Sequence, residues 1–328
     1  MSRAGVLALL MVVLSAAVVI AASWGSVPYE PATIFANVLH PRGQSDEAIV
    51  LWSLRFPRIA IAALVGAALA VAGTLMQDLL GNPLVDPYLT GASAGAAFAI
   101  ALAIAGGVPA AAYSAVALGA ALGTTILVAA LARTGTGLSV ERMIVAGIAL
   151  SSLFAGMTTL VILWTPSTPV SLNILAWLGG SLAGHGWRDL GWASLYALCG
   201  IAVALTAIPA LNAMRLGVRR AQAVGVDVDR TRWLVILATC LLTSAAVSVS
   251  GIIGFVGLIV PHIVRAAIGH DVRWTIAAAI PAGAAILIVA DAVARSLLPP
   301  TEIPLGILLS LLGVPAFLYL AVRRPKTV

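Results

Sequence analysis

Long apolar runs alternate with short polar breaks along the whole chain, and the runs predict its elements. Stretches long enough to cross about 30 Å of hydrocarbon as helices fall at ten places. They are Gly5–Ser23, Pro57–Leu79, Leu89–Ala105, Ala111–Leu131, Met143–Trp164, Leu190–Ile208, Trp233–Val249, Ile252–Ile268, Thr275–Leu297 and Leu305–Val322. The third and eighth are short and rich in glycine. The pattern predicts an all-α polytopic membrane protein with one transmembrane domain over residues 1–328. Arg3 followed by an apolar run resembles a secretory signal peptide, but the many later spans favour an uncleaved first span. Between Thr165 and Trp187, the apolar patch Leu172–Leu178 behind Pro166 and Pro169 predicts a short helix at the outer interface, with Trp177 as its anchor.

Composition supports the same class. A mean hydropathy of +1.09 leaves far more apolar surface than a soluble domain of 328 residues could cover. The net charge of +6 comes from basic residues set singly between apolar runs, a pattern unlike a nucleic-acid surface. With the N-terminus inside, the cytoplasmic breaks hold Arg3, Arg133, Arg142, Arg215, Arg219, Arg220, Arg230, Arg232, Arg265, Arg273, Arg323, Arg324 and Lys326. The outer breaks hold only Arg42, Arg55, Arg58, Arg188 and Arg295, so the positive-inside rule places both termini in the cytoplasm. Cys199 and Cys240 lie inside apolar runs and read as small buried hydrophobes.

Small residues recur at helical spacing, in Gly91–Gly95, in Gly119–Gly123 and along Gly66, Ala70 and Gly73, where they would let helix backbones approach closely. Pro57 suits a helix start, and Pro209, Pro261, Pro281 and Pro315 are expected to kink or break spans. The break Ile208–Trp233 is the most highly charged, carrying Arg215, Arg219, Arg220, Arg230 and Arg232 against Asp227 and Asp229. It predicts a surface helix over Met214–Val224, closed by Gly225 in a left-handed cap.

Several chemistries find no support in the sequence. No GxxxxGK[ST] phosphate loop, His-Glu-x-x-His pair or G-x-S-x-G elbow occurs. His262 and His270 do not share a helix face, so structural roles are expected for both, and no metal site is predicted. His40 and His185 are placed in outer loops. Asp291 and Arg295 sit at i,i+4 near the outer end of the ninth span, where a charge at membrane depth suggests either an ion pair or a function. Asp78 is expected to reach water at the inner surface. A secondary transporter would need a buried acid in its path, for which Asp291 is the candidate, and an intramembrane enzyme would need a nucleophile–base pair that the chain does not offer.

Four segments are more specific. Arg55-Phe-Pro-Arg58 leads into the Gly66–Gly73 strip, Gln77 and Asn82-Pro-Leu-Val-Asp-Pro87. Arg220-Ala-Gln-Ala-Val-Gly225 follows, then Gly251–Pro261 with His262 and Arg265. Last come Asp291 with Arg295, Pro300-Thr-Glu-Ile-Pro-Leu-Gly306 and Gly313-Val-Pro-Ala-Phe317. In this order and spacing the chain resembles the permease family of bacterial ABC importers for iron-siderophores, haem and cobalamin. The resemblance implies ten helices per subunit, a homodimer around a central path, a multi-pass place in the bacterial inner membrane, two ATPase subunits below and a periplasmic binding protein above. It implies no cofactor on this chain itself, with ATP and Mg held by the ATPase subunits. Leu216, Gly217, Arg219, Arg220, Ala221 and Gly225 match the family's coupling segment, within about residues 212–226. Arg219 and Arg220 stand where relatives often carry acidic or small residues. Arg55, Arg58 and Arg295 match the outer arginines that meet acidic residues of the binding protein. Asn82, Leu84, Val140 and Glu141 match a cytoplasmic gate in a cobalamin-transporting relative, although Val140 and Glu141 replace small hydroxyl residues. Haem is the favoured cargo, with ferric siderophore and cobalamin as the alternatives.

Overall fold

A computed structural model of the chain describes residues 2–25, 28–39, 45–135, 137–298 and 301–322, with side chains as far as Pro315. His40, Arg42, Pro300, Arg323, Arg324 and Lys326 lie outside the described residues. The helices are α1 (Arg3–Ser23), α2 (Pro31–Leu39), α3 (Asp46–Val50), α4 (Phe56–Leu80), α5 (Ala92–Ala105) and α6 (Tyr113–Leu131). A small antiparallel hairpin of β1 (Arg133–Thr134) and β2 (Gly137–Leu138) comes next, pairing Arg133 with Leu138 and Thr134 with Gly137. Then follow α7 (Val140–Trp164), α8 (Thr168–Leu178), α9 (Trp187–Met214), α10 (Val218–Ala223), α11 (Val228–Ser250), α12 (Val256–Ile268), α13 (Val272–Ser296) and α14 (Leu305–Val322).

Among the described residues, seven helical segments are long and apolar enough to cross a membrane: α1, α3 continued into α4, α6, α7, α9, α11 and α13. The other predicted runs hold α5, α12 and α14. With 14 and 13 residues, α5 and α12 reach only about 20 Å at the usual rise per residue. A loop ending in a 3-10 turn over Pro87–Thr90 precedes α5 and an irregular stretch precedes α12, and protein rather than lipid satisfies such backbone. Ser181 N–H donates to the Ser250 carbonyl at 2.9 Å, and Leu305 and Gly306 donate to Gly180 and Gly179 at 2.8 and 3.0 Å. Asp86 joins the two broken starts, because its carboxylate accepts from Tyr88 N–H at 2.8 Å and from Phe255 N–H. Phe255 holds φ at 69°, a conformation bulky residues avoid, and its ring packs against Gly313.

Helix α4 is the centre of the bundle. It is flanked by α13, α12, α11 and α9, and α1 lies against α13. Small residues make this packing possible. A side chain at Gly66 would collide with the Gly283 carbonyl, and one at Gly73 with the Gly257 carbonyl. Gly95 is likewise filled by Thr124, whereas Gly119 and Gly123 meet nothing and face outward. The prolines do not break their helices: α9, α12, α13 and α14 run through Pro209, Pro261, Pro281 and Pro315. At Pro57, which has no N–H to give, a π-helical turn over Leu51–Arg55 carries the ladder from α3 into α4. The predicted short helix around Leu172–Leu178 forms as α8, with Pro169 in its first turn.

These contacts predict different outcomes at two glycines. Gly283→Leu should cost about 1–3 kcal/mol or more by overpacking, read as a lower melting temperature and lost monodispersity in detergent. Gly119→Leu should leave both unchanged, because nothing stands within 4 Å of its added side chain.

Candidate functional site

Between α9 and α11 the chain leaves the bundle for a short basic excursion. The sequence pattern predicts one helix over Met214–Val224, but Met214 is buried as the last residue of α9. Gly217, at φ 112°, then separates α9 from the shorter α10, and Gly225, at φ 87°, closes α10 as expected. Ala221 is buried and pins α10 to the bundle, while Gly217, Arg219, Arg220 and Gly225 are exposed. Leu216 and Val224 are 70% and 76% exposed. Apolar and basic side chains thus share one open surface.

Each flank of this excursion is bonded to a different part of the same bundle end. On the first flank, Arg215 Nη1 donates to Asp78 Oδ1 at 2.8 Å, in the last turn of α4. Arg265 of α12 pairs with the same oxygen at 3.4 Å and donates to Gln77 Oε1 at 2.5 Å. Gln77 in turn donates to the carbonyls of Val85, Gly257 and Leu258. The Asp78 side chain is only 5% exposed, so the expectation that it reaches water is corrected. Burying a carboxylate there is tolerable because two guanidinium groups share it. On the second flank, Arg232 Nη1 donates to the Leu138 carbonyl at 3.0 Å, and the Asp229 carboxylate lies against Gly137. A cavity of about 670 Å³ opens beside the first flank, lined by Asp78, Arg215, Val218, His262, Arg265 and His270.

The four gate-matching residues sit next to these flanks. Asn82 follows Gly81, the C-cap of α4, with its N–H on the Gln77 carbonyl at 3.2 Å and its side chain accepting from Leu84 N–H at 3.0 Å. Leu84 is half exposed. Val140 is half-buried and Glu141 exposed in the first turn of α7, which Ser139 caps by accepting from Arg142 N–H.

The opposite end gathers the other arginines. Arg58 Nε donates to both Asp291 oxygens at 3.1 Å, while its Nη1 and Nη2 donate to Glu302 at 3.0 and 2.8 Å. Arg295 Nε pairs with Asp291 Oδ2 at 3.1 Å, so Asp291 is shared as Asp78 is. Arg295 and Arg55 also donate to the carbonyls of Ala21 and Ala22, capping the last turn of α1. Arg55 stacks over Tyr29 at 4.6 Å. Arginines on an open rim are expected from the sequence, but the side chains of Arg58 and Arg295 are 14% and 11% exposed, and Arg55 is buried. The helix continues back through the π turn to Asp46, which sets them among α1 and α13 instead of at a free end.

The FecCD transport family matches residues 11–323. The chain belongs to the FecCD transport family. The hemin transport system permease protein HmuU of Yersinia pestis is 36% identical over 307 residues, 92% of this chain and 91% of that protein. The vitamin B12 import system permease protein BtuC of Vibrio cholerae is 36% identical over 287 residues, 85% of each. A solved chain of a metal-chelate type ABC transporter in an inward-facing conformation aligns with a TM-score of 0.85 at 31% identity, over 98% of this chain and 100% of that one.

As a FecCD protein the chain is a multi-pass transmembrane permease subunit of an ABC transporter. The features that sequence reasoning missed in it are tertiary. The hairpin before α7 carries too few residues to leave a strand pattern, and Glu302 lies in a loop with no periodicity to mark its partner. Among the described residues no three His, Cys, Asp or Glu side chains gather as a metal-ligating group.

The shared carboxylate predicts an asymmetry. Asp291→Ala would leave two buried guanidinium groups short of a partner and should cost about 3–5 kcal/mol. Glu302→Gln, at a side chain 40% exposed, should cost about 1 kcal/mol or less. Thermal unfolding in detergent separates the two.

Proposed function

We propose that this chain, paired with a second copy in the bacterial inner membrane, forms the path of an ATP-driven importer for an iron chelate. The cargo is haem in the first place, passed from a periplasmic binding protein to the cytoplasm. ATP and Mg belong to two separate ATPase subunits, and the chain itself carries no cofactor. The observation that carries this reading is the open face of Leu216, Arg219, Arg220 and Val224, supported on a buried Ala221. An exposed apolar–basic patch of this kind suits a protein partner. The end that bears it also holds Arg3, Arg215, Arg232, Arg265 and Arg273, which suits a cytoplasmic orientation.

Nucleotide binding and hydrolysis supply the free energy in this reading, because a cargo equally bound in both states shifts nothing. At the other end, docking of the binding protein is assigned to Arg55, Arg58 and Arg295. Arg58 has the most direct route, since a partner carboxylate could take the place of the half-open Glu302. The gate is assigned to Asn82, Leu84, Val140 and Glu141. Haem is favoured over ferric siderophore and cobalamin because of overall resemblance, including the hemin permease of Yersinia pestis. A secondary transporter driven through Asp291 fits less well, since that carboxylate is held by two arginines.

Two experiments test the reading. Arg219→Glu with Arg220→Glu should abolish co-purification of the ATPase subunits while leaving the binding protein docked; loss of both partners would point to misfolding instead. Haem added to the purified complex with its binding protein should give a shifted Soret band. Failure of any Soret-absorbing ligand to bind removes haem as the cargo.

A further inference from the structure

The coupling face assigned above has to act on the rest of the chain, and the bonds that could carry its motion are few. Arg215 immediately precedes the excursion. Its 2.8 Å charge-assisted bond to Asp78 attaches it to the last turn of α4. Asn82 N–H holds the Gln77 carbonyl of that turn at 3.2 Å, so residues 82–84 move with it. On the far side, Val226 N–H closes onto the Ala221 carbonyl at 3.0 Å, and Asp227 caps α11 by accepting from Arg230 N–H at 2.9 Å. Thus α10 and the start of α11 form one unit. That unit reaches the hairpin through Arg232 and the Leu138 carbonyl at 3.0 Å. Ser139 N–H on the Ala132 carbonyl, also 3.0 Å, closes the hairpin directly ahead of residues 139–141.

We propose that Arg215–Asp78 and Arg232–Leu138 are two separate links by which the coupling segment moves the inner-end segments 82–84 and 139–141, each link serving its own segment. This rests on the importer reading above. Breaking the first link would leave a carboxylate that is 5% exposed with Arg265, at 3.4 Å, as its remaining ion-pair partner, so parting is costly and α4 follows Arg215. Both arginines share the Asp78 Oδ1 oxygen, while the buried Oδ2 accepts no hydrogen bond among the described residues. The second link is a bond to a backbone carbonyl, reinforced by Asp229 against Gly137, where no side chain intervenes. Arg215 and Arg232 act here as positioning residues.

The test uses the complex with the cognate ATPase subunits, in a parent carrying Cys199→Ser, because Cys199 is exposed and Cys240 buried. Leu84→Cys or Glu141→Cys supplies one reporter for each segment. Maleimide labelling rates are compared without nucleotide and with ATP plus vanadate. The parent should change rate about fivefold or more at each reporter, the lower end of an ordinary coupling free energy. Arg215→Gln should abolish the change at position 84 and spare it at 141; Arg232→Gln should do the reverse. Loss at both reporters from either substitution means general loosening and overturns the proposal. Retention at both, or a parent without any change, overturns it equally. Co-purification of the ATPase with the parent is read first. If it fails, the importer reading falls; if it holds and the crossover is absent, only the links fall.

Discussion

Helix α4 can lie against α12 and α13 backbone to backbone only because no side chain stands between them. Gly66 faces Gly283 and Gly73 faces Gly257, and a methyl group at any of these positions would meet a carbonyl or a neighbouring side chain. Inside a bilayer no hydrophobic gradient pulls helices together, so close van der Waals approach has to do it. This contact sets the lateral position and register of three helices at once. Everything polar at either end of the bundle is placed by that register.

Each end is then closed by one carboxylate held between two guanidinium groups. Asp291 lies between Arg58 and Arg295, and Asp78 between Arg215 and Arg265. The arrangement is costly to desolvate and tolerable only when every member is paired. Its effect is to tie α4 to α13 at one end, and to α12 and the start of the basic segment between α9 and α11 at the other. The same helix therefore connects the two places where a partner protein is expected to act. The interior between those ends is mostly alanine, glycine and branched apolar residues, with buried hydroxyls such as Thr74, Thr125, Thr239, Thr243 and Ser244 among them.

The breaks in helicity show a second use of the same economy. A loop with a 3-10 turn precedes α5 and an irregular stretch precedes α12, and Asp86 holds both through backbone N–H groups. In water such segments would be ordinary loops. In the membrane they are tolerated because protein surrounds them. They also shorten the two helices that follow, which is why predicted runs at Leu89 and Ile252 begin later in the structure.

Much of this protein was legible in its residues. Apolar run length located the helices, because hydrocarbon thickness imposes a minimum length. The distribution of arginine sorted the breaks into two ends, and among the described residues Arg3, Arg215, Arg232 and Arg265 lie at one end and Arg55, Arg58 and Arg295 at the other. Gly225 announced a helix end because few other residues accept its conformation. The extent of α10 was not legible: burial of Met214 against the bundle, a tertiary fact, moved its start to Val218. Nor could the sequence say that Arg58 and Asp291 meet across 233 residues, or that Gln77 and Arg265 meet across 188. Local periodicity fixes which face of a helix is apolar, since it depends on neighbours three and four residues away. Which charge finds which partner depends on how whole helices pack, and only the tertiary structure decided that.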